Sequence, residues 1–195
     1  MLLKISEYVT NSFVNKKIIN SDSADIYIYG FQLTFSTLFS IITILLISSL
    51  INFLFGIIFL CFFMPLRFCA GGYHSKTYWN CFILTNLSFI LVLFVSTLSS
   101  AHYIYSIFFL VCLLSLWFKA PCINKNNPLS DKYIKKNRIY TRIILTIDFF
   151  FLFVLDHFDP FAFILGTNTI YLVFILFAIG KLENKKVNTK ITDQN

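Results

Sequence analysis

The chain has 195 residues, 57% of them hydrophobic and 13% charged, with a formal net charge of +7. Soluble domains carry about 25% charged residues, so a water-facing globule is excluded, and long even apolar runs with 25 phenylalanines point to lipid. No linker splits the chain, so 1–195 reads as one membrane domain.

Residues 1–20 lack the continuous apolar run and small-residue cleavage site of a secretory signal. Leu2, Ile5, Val9 and Phe13 recur at steps of three and four and share one helical face. Lys4, Glu7, Asn11, Lys16 and Lys17 fall largely elsewhere. The pattern predicts an amphipathic helix, either lying in the membrane interface or packed on the cytoplasmic side of the protein itself. Asn20-Ser-Asp-Ser23 then supplies helix-capping residue types, with Asp22 and Asp25 suited to a first turn.

Six apolar segments follow, at roughly 26–50, 53–66, 82–100, 103–119, 139–156 and 161–180. Most approach the twenty or so residues of a spanning helix. The second is short and is expected to stop at Met64-Pro65, because proline disfavours continued helix. The predicted fold is all-α: a polytopic integral membrane protein of about six transmembrane helices plus the N-terminal helix. With six spans, the sixteen Lys and Arg fall on one side, in 1–25, 67–81, 120–138 and the tail 181–195, counting membrane-edge positions such as Lys119 and Arg142. The opposite turn at 156–160 holds Asp156, His157 and Asp159. The positive-inside rule then makes the basic side, with both termini and the 67–81 loop, cytoplasmic.

That loop, RFCAGGYHSKTYWNC from Arg67 to Cys81, is the polar exception in an apolar chain. A cysteine nucleophile needs a base or an electropositive setting, and histidine is the usual base near neutrality. His74 and Cys81 fit those roles, with Arg67 and Lys76 as nearby cations and Gly71-Gly72 as a flexible break. The bare pair is weak evidence, because five cysteines in 195 residues make one such His/Cys pair expected by chance. His102 and Cys112 form another, but Cys112 sits in FFLVCLL without a polar neighbour. Cys112 and Cys61 read as packing residues. On a straight helix, residues seven apart are separated by about 10 Å, so His74 and Cys81 meet only if the chain turns. Gly71-Gly72 permits a turn. Ser75 or Thr77 can cap the next helix, placing Cys81 near a helix N-terminus, where the dipole favours a thiolate. A structural re-entrant loop with an incidental cysteine is the competing reading.

Arg67, Ala70-Gly71-Gly72, His74 and Cys81 resemble the R-x-x-A-G-G-x-H-x(6)-C signature of the accessory gene regulator protein B (AgrB) family. Tyr29-Gly30 resembles that family's Y-G element. Ala120-Pro121, followed by Asn127-Pro128-Leu129, resembles its A-P…P-[LI] loop, although Cys122-Ile123-Asn124 stands where many members have an acidic residue. The resemblance implies a membrane cysteine endopeptidase of a Gram-positive cell membrane, with His74 and Cys81 catalytic. Its implied substrate is a quorum-sensing pro-peptide of the AgrD type. Cleavage through a thioester and closure of a thiolactone or lactone ring follow from the same resemblance. No cofactor or metal is implied, and no HExxH or comparable metal motif occurs. A homodimer is also implied, without a GxxxG pair to mark its interface.

Arg67, Gly71, Gly72, Lys76 and Lys125 are the supporting or substrate-binding candidates. Lys125 opens a basic stretch with Lys132, Lys135, Lys136, Arg138 and Arg142. It reads as a positive-inside anchor, a site for anionic lipid or an attractor for an acidic peptide tail. Nucleic acid is excluded as a partner, because these charges serve topology and lie against lipid. Asp148 interrupts an apolar run and is a functional suspect by position, or else pairs with Arg142 or a buried hydroxyl. The alternatives to a peptidase are a small membrane transporter and a non-catalytic scaffold or sensor.

Overall fold

The computed structural model describes residues 2–73, 77–98, 102–122 and 130–192, with backbone alone at 2, 102–106 and 185–192. Its elements are α1 (Leu2–Asn15), a 3-10 turn (Ser21–Ser23), α2 (Ala24–Ser49), α3 (Phe53–Ala70), α4 (Tyr78–Leu98), α5 (His102–Lys119), α6 (Asp131–Phe158) and α7 (Pro160–Thr192). The six helices α2–α7 fall on the six predicted segments. Four of the described stretches are long and apolar enough to cross a membrane: Ser21–Ser49, Phe53–Ala70, Tyr78–Leu98 and Pro160–Asn184. Ile107–Lys119 is a shorter apolar helix, and α6 is interrupted by Arg142 and Asp148. The chain is an all-helical, polytopic membrane protein.

Helix α7 is the hub, packing against α3, α4, α5 and α6. Its buried face carries Ala162, Leu165, Ile170, Val173 and Phe177, opposed by Phe59, Phe62 and Leu66 of α3. The outward surface is apolar, and many of the buried positions are not. Helix α2 buries Gln32, Ser36, Ser40, Ile44 and Ser48, one face at steps of four, while Phe39, Ile42 and Leu46 stand about half exposed or more. Lipid accepts the large apolar side chains, and small polar residues let helices approach closely. Ser48 packs against Gly56 in this way.

Two expectations are corrected. Helix α3 does not stop at Pro65 but runs on to Ala70. Proline removes one intrahelical hydrogen bond, and burial of Leu66 and Ala70 against the bundle sustains the extra turn. In consequence Arg67 sits in the last turn of a helix rather than in a loop. Asp148 does not pair with Arg142. Six residues apart on one helix are about 240° around and 9 Å along the axis. Arg142 instead donates to the Trp117 carbonyl at 3.3 Å and lies over the Trp117 ring. Asp148 is buried, and its Oδ2 finds no partner among the described residues.

Helix α1 packs on α2. Ser6 and Thr10 are fully buried, Ile5, Val9 and Phe13 flank them half-buried, and Phe13 stacks on Phe31.

Candidate active site

The site grows from the end of α3. Gly71 closes that helix with φ 70° and Gly72 follows at φ 120°. Both values lie in the region that side-chain-bearing residues rarely adopt. A side chain here is also excluded by crowding. A Cβ on Gly71 would lie 2.7 Å from the Cys122 carbonyl oxygen, and one on Gly72 2.8 Å from Arg67 Nη1. The glycine pair thus turns the chain and lets the Arg67 guanidinium lie against it. Arg67 Nη1 donates to the Gly71 carbonyl at 2.8 Å.

Helix α7 holds the turn from beneath. The Tyr73 N–H donates to the Leu176 carbonyl at 2.9 Å, and Gly180 leaves room for the backbone of Gly72 and Tyr73. His74, Ser75 and Lys76 lie outside the described residues, and Thr77 precedes the next helix. Its Oγ1 accepts from the Asn80 N–H at 3.3 Å, and the Cys81 N–H donates to the Thr77 carbonyl at 3.0 Å. Thr77 therefore caps α4, and Cys81 is its fourth residue. Expected and found agree on two points: the chain turns at Gly71-Gly72, and Cys81 stands in the first turn of a new helix.

The segment after α5 joins this turn. The Cys122 N–H donates to the Ala70 carbonyl at 2.8 Å, and Gly71 and Cys122 form a short parallel bridge. The Ala120-Pro121 bond is cis, and Arg138 donates to the Ala120 carbonyl at 3.4 Å. Arg67 is close enough to both Cys81 and Cys122 to interact with each sulfur electrostatically. Tyr29 at the start of α2 meets Tyr78 edge-on, 5.7 Å between centroids, and Ser36 donates to the Tyr78 carbonyl at 3.0 Å. Residues from the starts of α2 and α4 and the ends of α3, α5 and α7 so converge on one end of the bundle.

The family model for accessory gene regulator B matches residues 5–183. The chain belongs to the AgrB family. Comparison with curated proteins and with solved structures gave no match. AgrB proteins are known in general for processing quorum-sensing peptides, and the match spans nearly all of this chain.

In this AgrB chain Tyr29, residues 67–73, residues 77–81 and Ala120-Pro121 with Cys122 gather although they are distant in sequence; Asn127-Pro128-Leu129 lies outside the described residues. Of the candidates, Arg67, Gly71, Gly72 and Cys81 are placed together; His74, Lys76 and Lys125 lie outside the described residues. Sequence reasoning missed the contribution of α7. Asn184 donates to Cys122 Sγ at 3.5 Å, and Lys181 is in electrostatic reach of the same sulfur while lying over the Phe177 ring at 4.8 Å. Burial pushes the Cys122 thiol up, with Lys181, the Asn184 hydrogen bond and Arg67 pulling the other way. A signal was present in Gly180-Lys181, a glycine and a cation closing an apolar run, but nothing in the sequence ties it to residue 72. Asp148 stands ten residues from Arg138 along α6, about 15 Å up the axis, and so away from this end.

Proposed function

We propose that the chain is a membrane-embedded cysteine endopeptidase that processes a quorum-sensing pro-peptide. Cys81 is the nucleophile and His74 the general base. The Cys81 thiolate attacks the carbonyl carbon of the scissile peptide bond. The carbon–nitrogen bond breaks, and the proton taken by His74 passes to the leaving amine of the C-terminal fragment. The N-terminal part remains as a thioester on Cys81. A cysteine or serine of the substrate then attacks that thioester, closing a thiolactone or lactone and restoring the thiolate. Thioester exchange is nearly balanced, so the second step proceeds only if water is kept away.

The observation that carries this reading is the placement of Cys81 in the first turn of Thr77-capped α4, within electrostatic reach of Arg67. Helix N-termini and guanidinium groups both stabilise a developing oxyanion. Tyr73, the residue before His74 in the sequence, is fixed to α7 through its N–H. The basic end of the bundle is the cytoplasmic one by the positive-inside rule, and the same cations suit lipid head groups. A homodimer of such chains is part of the reading by family analogy.

The test is cleavage of the cognate pro-peptide by the full-length chain in liposomes. Cys81→Ala and His74→Ala each abolish cleavage; Cys112→Ala does not. Cleavage by Cys81→Ala at the normal rate would refute the assignment.

A further inference from the structure

Beside the Cys81 turn lies a cavity of about 600 Å³ between α1, α2 and the start of α4. Leu3, Ile5, Phe39, Tyr78, Trp79 and Phe82 provide apolar and aromatic walls. Volume and lining fit a site for an organic ligand rather than a packing defect. Its polar lining is Gln32, 8% exposed, with Ser36, Thr43 and Thr77; the Ser36 and Thr43 hydroxyls donate to backbone carbonyls. No hydrogen bond engages the Gln32 amide among the described residues. The amide is open to the cavity, so it can offer both a donor and an acceptor to an occupant.

The cavity shares its wall with the nucleophile's helix. Tyr78 and Phe82 lie about 60° and 100° around that helix from Cys81, and Trp79 about 160°, so the cavity wall begins on the side of the turn next to the thiol. A helix is about 10 Å across with its side chains, and an extended peptide covers about 3.4 Å per residue. A peptide held at Cys81 therefore reaches the cavity within about three residues.

We propose that this cavity is the specificity pocket for a large apolar side chain of the peptide substrate, within about three residues of the scissile bond. Gln32 hydrogen-bonds the peptide group that carries that side chain. The proposal rests on the peptidase reading of Cys81. It extends that reading by naming the substrate feature selected and by giving α1 a role, since Leu3 and Ile5 form one wall. A lipid acyl chain also fits apolar walls, but it offers the Gln32 amide neither donor nor acceptor.

The test uses the full chain in nanodiscs with Cys81→Ala and Trp117→Phe, leaving Trp79 as the remaining indole of the two in the sequence. The probe is an N-acetylated, C-amidated tetrapeptide containing 4-bromophenylalanine, whose bromine quenches an indole it touches. Quenching of Trp79 is expected to saturate. It is expected to weaken at least tenfold in half-saturation with Gln32→Leu or with Thr43→Phe, which fills the cavity from α2. An aspartate-containing tetrapeptide is expected not to compete. If Thr43→Phe fails to fold by gel filtration, Gln32→Leu alone decides. Non-saturating quenching, or the same half-saturation in every folded variant, overturns the proposal. So does quenching by brominated acyl chains that Thr43→Phe removes and the peptide does not displace. Cleavage assays with Cys81 intact separate the two readings. Saturable binding alongside Cys81-independent cleavage sinks the nucleophile and keeps the pocket. Cys81-dependent cleavage with unchanged binding in the variants does the reverse.

Discussion

Gly180→Ala tests whether α7 positions the catalytic turn. The new Cβ would stand 2.5 Å from the Gly72 carbonyl carbon, 2.6 Å from the Tyr73 nitrogen and 2.9 Å from Gly72 Cα. Atoms in ordinary contact sit about 3.5–4.0 Å apart, so the turn must retreat by roughly 1 Å. That retreat breaks the 2.9 Å hydrogen bond from Tyr73 to Leu176. Leaving the buried N–H unpaired costs about 1–3 kcal/mol, against a gain of up to about 1 kcal/mol from replacing glycine by alanine in a helix. A net loss of about 1–2 kcal/mol leaves the protein folded with its turn displaced. Displacements of this size near reacting groups cost about 100-fold in rate. Initial rates of pro-peptide cleavage in liposomes measure the effect, with gel filtration as the check on folding. Leu50→Ala is the control, because Leu50 is 86% exposed at the opposite end of α2 from Tyr29, and cleavage is expected within about twofold of the unsubstituted rate. A Gly180→Ala protein that cleaves as fast as Leu50→Ala would refute the reasoning.

Arg67→Met removes the guanidinium that donates to the Gly71 carbonyl and lies in electrostatic reach of the two sulfurs, and cleavage is expected to fall at least tenfold in initial-rate assays, since charge-stabilising donors are worth several kcal/mol; Arg67→Lys, lacking the planar fork, is expected to restore only part of it. Asp148→Asn keeps the shape of a buried side chain whose Oδ2 has no partner among the described residues and which stands about 15 Å along α6 from Arg138. Cleavage within about twofold of normal and an unchanged or higher melting temperature are expected; a large loss of activity would restore Asp148 to the catalytic set. At Cys122, burial outweighs the pull of Lys181, Asn184 and Arg67, so the thiol is expected to stay protonated near neutral pH. Its alkylation by iodoacetamide, read by peptide mass spectrometry, is therefore expected to be slow at pH 7 and to accelerate as pH rises; rapid labelling at pH 7 would contradict that balance.

Much of the fold was legible because lipid imposes a simple demand: long apolar runs form helices. The turn at Gly71-Gly72 and the cap at Thr77 were legible too, since each rests on local backbone chemistry. The overrun past Pro65 was hidden because the packing of Leu66 and Ala70, a tertiary effect, decides it. Helix α1 shows a related limit. Its apolar periodicity drew attention to Ile5, Val9 and Phe13, while fully buried Ser6 and Thr10 lie at the centre of its contact with α2. The gathering of residues 29, 71, 122 and 180 was illegible for a different reason. Nothing local in a sequence reports that a carbonyl on α7 will accept from Tyr73, or that Cys122 will bridge to Gly71.

The central claim is a covalent one, so the most direct measurement is of the covalent adduct. Full-length protein in liposomes, mixed with its pro-peptide and quenched in acid, is to be analysed by intact and peptide mass spectrometry. The account predicts an adduct equal in mass to the N-terminal part of the pro-peptide, attached at Cys81, removed by neutral hydroxylamine and absent from Cys81→Ala. An adduct on Cys69 or Cys122 instead, or continued cleavage by Cys81→Ala, would contradict it.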